Sequence, residues 1–139
     1  PLLENAVEDI EKVKHAWELC GADVRILDAE MHDRVFAAVS HLPHLLAYAL
    51  VDEFARRPNA DQLFDYAAAG FRDFTRIAGS HPEMWRDICL GNRSAVLKEL
   101  DQYLLIVNHM RKLIADNDGA GLEKLFNKAS KARQDLDVL

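Results

Sequence analysis

Apolar positions recur along most of the chain with a helical period near 3.6 residues. Residues 4–19 set Val7, Ile10, Val13 and Trp17 on one stripe, and Gly21 stops that helix. The stretch "ADVRILDA" alternates instead, with Val24 and Ile26 between polar neighbours, so one short strand is predicted near 23–28. A lone strand forms no sheet, and its partners are expected in another domain or subunit. Asp28 is placed to cap a helix running from Ala29 to Arg57, where Pro58 ends it. Pro43 falls inside that helix. Its missing N–H and its clash with the carbonyl of Val39 predict a kink. Another helix is predicted over 61–78, "DQLFDYAAAGFRDFTRIA". "SHPE" at 80–83 reads as a capping box, with Ser80 as the cap and Glu83 reaching back. A long helix follows from a cap at Asn92 to about Asp116, then a turn holding Gly119 and Gly121, then a final helix. The pattern is all-α with one orphan strand.

The long helix speaks to assembly. Val96, Leu100, Tyr103, Val107, Met110 and Ile114 follow a 4-3-4-3-4 spacing, a continuous seam. Leu97, Leu104, Leu105, Ile106 and Leu113 widen the apolar girth beyond one face, and a helix of that kind is covered on more than one side. In a chain of 139 residues the expected cover is a second copy. A central helix buried within one protomer is the alternative.

Charge and composition narrow the partners. The formal net charge of −6 and a pI near 5.4 argue against nucleic acid or an anionic membrane surface. Two cysteines, Cys20 and Cys89, make no disulfide framework, which points to a reduced cytoplasmic setting. No apolar stretch is expected to approach the roughly 20 residues of a membrane span. The chain opens without an initiator Met and almost inside a helix, as a piece of a longer protein would.

Candidate chemistry gathers at two places. In "SHLPHLLAYAL", 40–50, His41 and His44 share a helix face with Ser40 beside the carbonyl that Pro43 leaves free. A packed interior, a substrate pocket and a metal site each account for this pair. Zinc would need a third ligand, for which His32, Asp33 and His81 are the distant candidates, and His32-Asp33 also resembles the two-letter motif of HD-type metal phosphohydrolases. In "FRDFTRIA", Arg72 and Arg76 stand one turn apart, and Asp73 is spaced to pair with Arg76. Such arginines make either a solvated face or a cradle for a carboxylate, which bidentate guanidinium geometry suits. There is no G-x-G-x-x-G, no P-loop lysine and no nucleophile–histidine pair at a readable spacing.

"HDRVFAAVSHLPHLLAYAL", followed about 20 residues later by "GFRDFTRIAGSHPEMWRDICLGN", resembles the C-terminal region of prephenate dehydrogenases, the TyrA family. The resemblance extends through "WELCGADVRILDAEMHD" and "LLIVNHMRKLIADNDGAGLEKLF". It implies a helical dimerisation and substrate domain over 29–139, with 1–28 leading out of an absent N-terminal nucleotide-binding domain. The family reaction is oxidative decarboxylation of prephenate or arogenate, with NAD or NADP taking the hydride. The resemblance assigns the proton-accepting histidine to the absent domain, so no catalytic residue is expected here and the chain alone is expected to be inactive. It gives Arg76 a substrate carboxylate, with Asp73 nearby. It sets His44 in the substrate side-chain pocket beside Ser40 and His41, and sends Trp85 to the active site of the other subunit of a homodimer. Relatives carry consecutive glycines, where tyrosine feedback acts, at the place of Ala67, Ala68 and Ala69. The added Cβ atoms narrow that wall. A free-standing helical interaction module is the alternative function.

Overall fold

The computed structural model describes residues 1–136, so the last three residues of the expected helical domain lie outside the described residues. Compact packing separates one unit, residues 1–99, from a second that starts at Leu100. The chain is helical, as the periodicity requires.

In the first unit, α1 (Val7–Leu19) ends at Cys20 and Gly21. Gly21 takes φ +85°, the left-handed conformation that glycine adopts without Cβ strain. Residues 22–28 then run extended, and no strand pairing occurs among the described residues. The alternation of Val24 and Ile26 is real, but the predicted strand has no neighbour whose N–H and C=O groups could make a ladder. Asp28 caps α2 (Ala29–Phe36) as expected, accepting from the Met31 N–H at 2.7 Å.

The kink expected from Pro43 takes the form of a π-helical turn, Ala37–His41, after which α3 (Leu42–Ala55) resumes. The Leu42 N–H reaches back five residues to the Ala37 carbonyl. A proline can neither donate nor tolerate a tight preceding turn, and the widened turn accommodates both. The continuous helical stretch Ala29–Ala55 is long and apolar enough, by length and composition only, to cross a bilayer. Around α3 pack the π-turn, α4 (Ala60–Asp65), α5 (Ala69–Thr75) and a 3₁₀ turn, Arg76–Gly79.

The single helix expected over 61–78 is therefore broken at Ala67 and Ala68. Tertiary contacts override the helix propensity of alanine there. Phe71 stacks on Phe54 (5.5 Å between ring centroids) and tilts against Phe64 (6.2 Å). Arg72, expected on a solvated face, donates from Nε to the Ala67 carbonyl at 3.0 Å and so closes the break. The capping box also fails. Ser80 closes the 3₁₀ turn with its carbonyl engaged by Tyr48, His81 stands at the N-cap of α6 (Pro82–Gly91) with no side-chain bond, and Glu83 pairs with Arg86.

α7 (Arg93–Ala115) matches the long helix expected. Val96 is buried, whereas Leu104, Leu105 and Ile114 are 47%, 64% and 63% exposed. In the second unit the turn after α7 has Asn117 at φ 55°, and α8 (Gly119–Leu136) begins earlier than expected, with Gly119 and Gly121 in its first turn. A Cβ on Gly121 would stand 2.8 Å from the Leu113 side chain, so glycine lets the two helices meet there. Among the described residues the buried apolar side chains are Ala37, Ala47, Trp85 and Val96 in the first unit and Leu113 in the second.

Candidate functional site

The π-turn places Ser40 and His41 on its last residues and His44 on the first turn of α3. His44 Nδ1 lies 2.9 Å from the Ser40 carbonyl. A carbonyl only accepts, so Nδ1 carries the proton and Nε2 is the open nitrogen of the ring. That bond to the Ser40 carbonyl, next to the Val39 carbonyl that Pro43 cannot serve, fixes the imidazole in one tautomer.

His44 stacks on Trp85 of α6 at 3.6 Å between centroids and 19° between planes. His41 meets the same indole edge-on, at 6.1 Å and 76°. Trp85 is 9% exposed, and its buried indole N–H has no hydrogen-bond partner. Ser40, His41, His44 and Trp85 therefore form one cluster within a single chain. One turn beyond His44, the Tyr48 hydroxyl donates to the Ser80 carbonyl at 2.6 Å. That bond holds the end of the 3₁₀ turn against α3, and Arg76 opens the same turn.

Arg76 is exposed and forms no ion pair or hydrogen bond with any described residue. The expected Asp73–Arg76 pair is absent, and Asp73 is likewise exposed and unpartnered among the described residues. The helix tightens from α to 3₁₀ between them, which breaks the α-helical row on which i,i+3 neighbours meet. Arg76 is left as a cation with its whole fork of donors open.

Sequence reasoning missed Asn92. Read as a helix cap, it instead sends its side-chain Nδ2 to the Asp33 carbonyl at 2.7 Å and to His41 Nδ1 at 3.3 Å. Nothing local announces a contact across 51 residues of chain. Tyr48 was also missed, although its place one turn after His44 on an apolar helix is a legible signal. The His41 pKa is lowered from its ordinary 6.5, first by burial, then by the neighbouring His32, with His44 adding to the effect and Asp33 opposing it. His41 is thus neutral at neutral pH. The stability it contributes is complete above pH 6.5 and is lost as the pH falls through its lower folded value.

The metal reading finds no support in this geometry. His32 Nδ1 bonds its neighbour Asp33 at 3.1 Å in an exposed position, and among the described residues no three His, Cys, Asp or Glu side chains converge. Among the described residues no strand leads into a glycine-rich turn at a helix N-terminus, the arrangement that binds a pyrophosphate.

Residues 28–128 match the model of "Prephenate dehydrogenase, dimerization domain", and the chain belongs to that family. It is 36% identical over 135 residues to the cyclohexadienyl dehydrogenase of Zymomonas mobilis, covering 96% of this chain and 46% of the relative. It is 34% identical over 130 residues to the prephenate dehydrogenase of Bacillus subtilis, covering 93% of this chain and 35% of that one. The chain thus spans less than half the length of these relatives. Among solved structures it is similar to the Aquifex aeolicus prephenate dehydrogenase in complex with hydroxyphenyl propionate and NAD+, with TM-score 0.87, 38% identity, and 98% of this chain against 48% of that one. The Synechocystis arogenate dehydrogenase is similar too, at TM-score 0.80 and 26% identity over 96% of this chain and 49% of that one.

Proposed function

We propose that this chain is the substrate-binding and dimerisation part of a cytoplasmic prephenate or arogenate dehydrogenase of tyrosine biosynthesis, which decarboxylates its substrate oxidatively with NAD or NADP. The observation that carries the proposal is Arg76, an open guanidinium on a turn tied to the helix that carries His44. A dianionic substrate needs such a group, because a guanidinium grips a carboxylate with two parallel hydrogen bonds. Ser40, His41 and His44 line the rest of the substrate site, with Asp73 at its edge and Trp85, which the resemblance sends to the other subunit's site, stacked on His44 of its own chain. We place residues 1–28 in the approach from a nucleotide-binding domain, consistent with a family match that begins at residue 28.

The test is nicotinamide reduction with prephenate and with arogenate. The enzyme that contains this chain should turn over at least one of them. The 139-residue chain alone should reduce no nicotinamide, since its sequence carries no G-x-G-x-x-G turn of the kind that cradles a dinucleotide. Steady reduction by the isolated chain would defeat the proposed division of labour.

The homodimer follows from α7. Leu104, Leu105, Ile106, Val107 and Ile114 are all exposed large apolar side chains on one helix, a surface that water covers poorly. Light scattering at micromolar concentration should give twice the 15.7 kDa chain mass, and a monomer would contradict the assignment.

A further inference from the structure

Asn92 stands just before α7, 51 residues from His41, and its carboxamide joins two elements by a single nitrogen. The Asp33 carbonyl accepts from Nδ2 at 2.7 Å, and a carbonyl cannot donate. The amide orientation is therefore fixed by chemistry, because the flipped form would set two oxygen lone pairs against each other. The second hydrogen of the same nitrogen faces His41 Nδ1 at 3.3 Å. A nitrogen that receives an N–H must offer a lone pair.

We propose that Asn92 is a positioning residue that locks neutral His41 with its proton on Nε2, so that the two histidines of the site present opposite faces: His41 a donor, His44 in its neutral form an acceptor. His44 reaches the opposite state because its Nδ1–H is held by the Ser40 carbonyl. The pair then suits a ligand carrying an acceptor, such as a carboxylate or ketone oxygen, beside a hydroxyl donor. Protonating His41 would oppose an Nδ1–H to the Asn92 N–H, a penalty that works in the same direction as burial and as the nearby His32 and His44. Asp33 is the one charged group acting the other way. That this arrangement serves substrate binding rests on the function proposed above; the tautomer itself does not.

Nitrogen-15 NMR of the labelled chain tests the tautomer without turnover. Wild-type His41 should show a protonated Nε2 and an unprotonated Nδ1 at neutral pH. In Asn92→Ala, both tautomers of His41 should be populated. In Asn92→Asp, a carboxylate facing Nδ1 should draw the proton there and raise the His41 midpoint by about 1 to 3 pH units. A wild-type His41 protonated on Nδ1 would overturn the proposal, as would a midpoint and tautomer unmoved in Asn92→Asp. Should one variant unfold, the other compared with wild type still decides. A residue with only a structural role would lower stability and leave the ring nitrogens as they were. If the tautomer is as stated but the enzyme turns over neither prephenate nor arogenate, the functional reading falls and the positioning role stands.

Discussion

Arg76→Lys is expected to impair the enzyme that carries this domain almost as severely as Arg76→Ala, although lysine keeps the charge. The guanidinium is exposed and free of partners among the described residues, so its donors are available to a ligand rather than spent on the fold. A planar fork binds a carboxylate through two parallel hydrogen bonds, whereas an ammonium offers a point charge. Losing such a contact costs about 2–5 kcal/mol, or about 30-fold to several thousand-fold. The loss should appear chiefly in KM for prephenate or arogenate, because the carboxylate is held in ground and transition states alike. Affinity for NAD(P) should barely move. Arg72→Ala serves as the neighbouring control, in a changed form. Its guanidinium satisfies the Ala67 carbonyl, so its removal should cost about 0.5–1.5 kcal/mol of stability and leave KM near normal. A large KM effect at Arg72 with none at Arg76 would place the ligand on the wrong side of the turn.

Trp85→Ala should be the most destabilising single change in the histidine cluster. The indole is buried, stacks on His44 and meets His41 edge-on, so truncation opens a cavity under two side chains at once. Tryptophan-to-alanine changes of this kind cost about 3–5 kcal/mol. Trp85→Phe should retain most of the stability, because it keeps a ring against His44 and removes a buried N–H that has no partner. Urea denaturation followed by circular dichroism measures both. A Trp85→Ala chain within about 1 kcal/mol of wild type would show that the stack carries little of the fold's stability.

Local signals are legible in the sequence because their causes are local. The Asp28 cap, the stop at Gly21 and the length of α7 each depend on residues within a turn or two of one another. Pro43 announced a disturbance for the same reason, and Ser40, His41 and His44 could be singled out beside it. What escaped was set by partners far along the chain. The break at Ala67 and Ala68 is held by Phe71 packing on Phe54 and by Arg72 turning back, and the Ser80 carbonyl is taken by Tyr48 from 32 residues away. Asn92 looked like a cap because asparagine before an apolar helix usually is one. Such bonds leave no period in the pattern of apolar and polar residues.

The π-turn at Ala37–His41 has a consequence for angular phase. An α-helix advances about 100° per residue, so a turn that holds one extra residue rotates everything after it by about that angle. α2 and α3 therefore differ in azimuth, and one helical wheel drawn over 29–55 misassigns the faces of one of them. Deleting a single residue within 37–41 would heal the helix and at the same time swing His44, Ala47 and Tyr48 a quarter-turn away from Trp85 and Ser80. The extra residue acts as a vernier: it sets the azimuth at which α3 faces the rest of the site, independently of how well either helix forms.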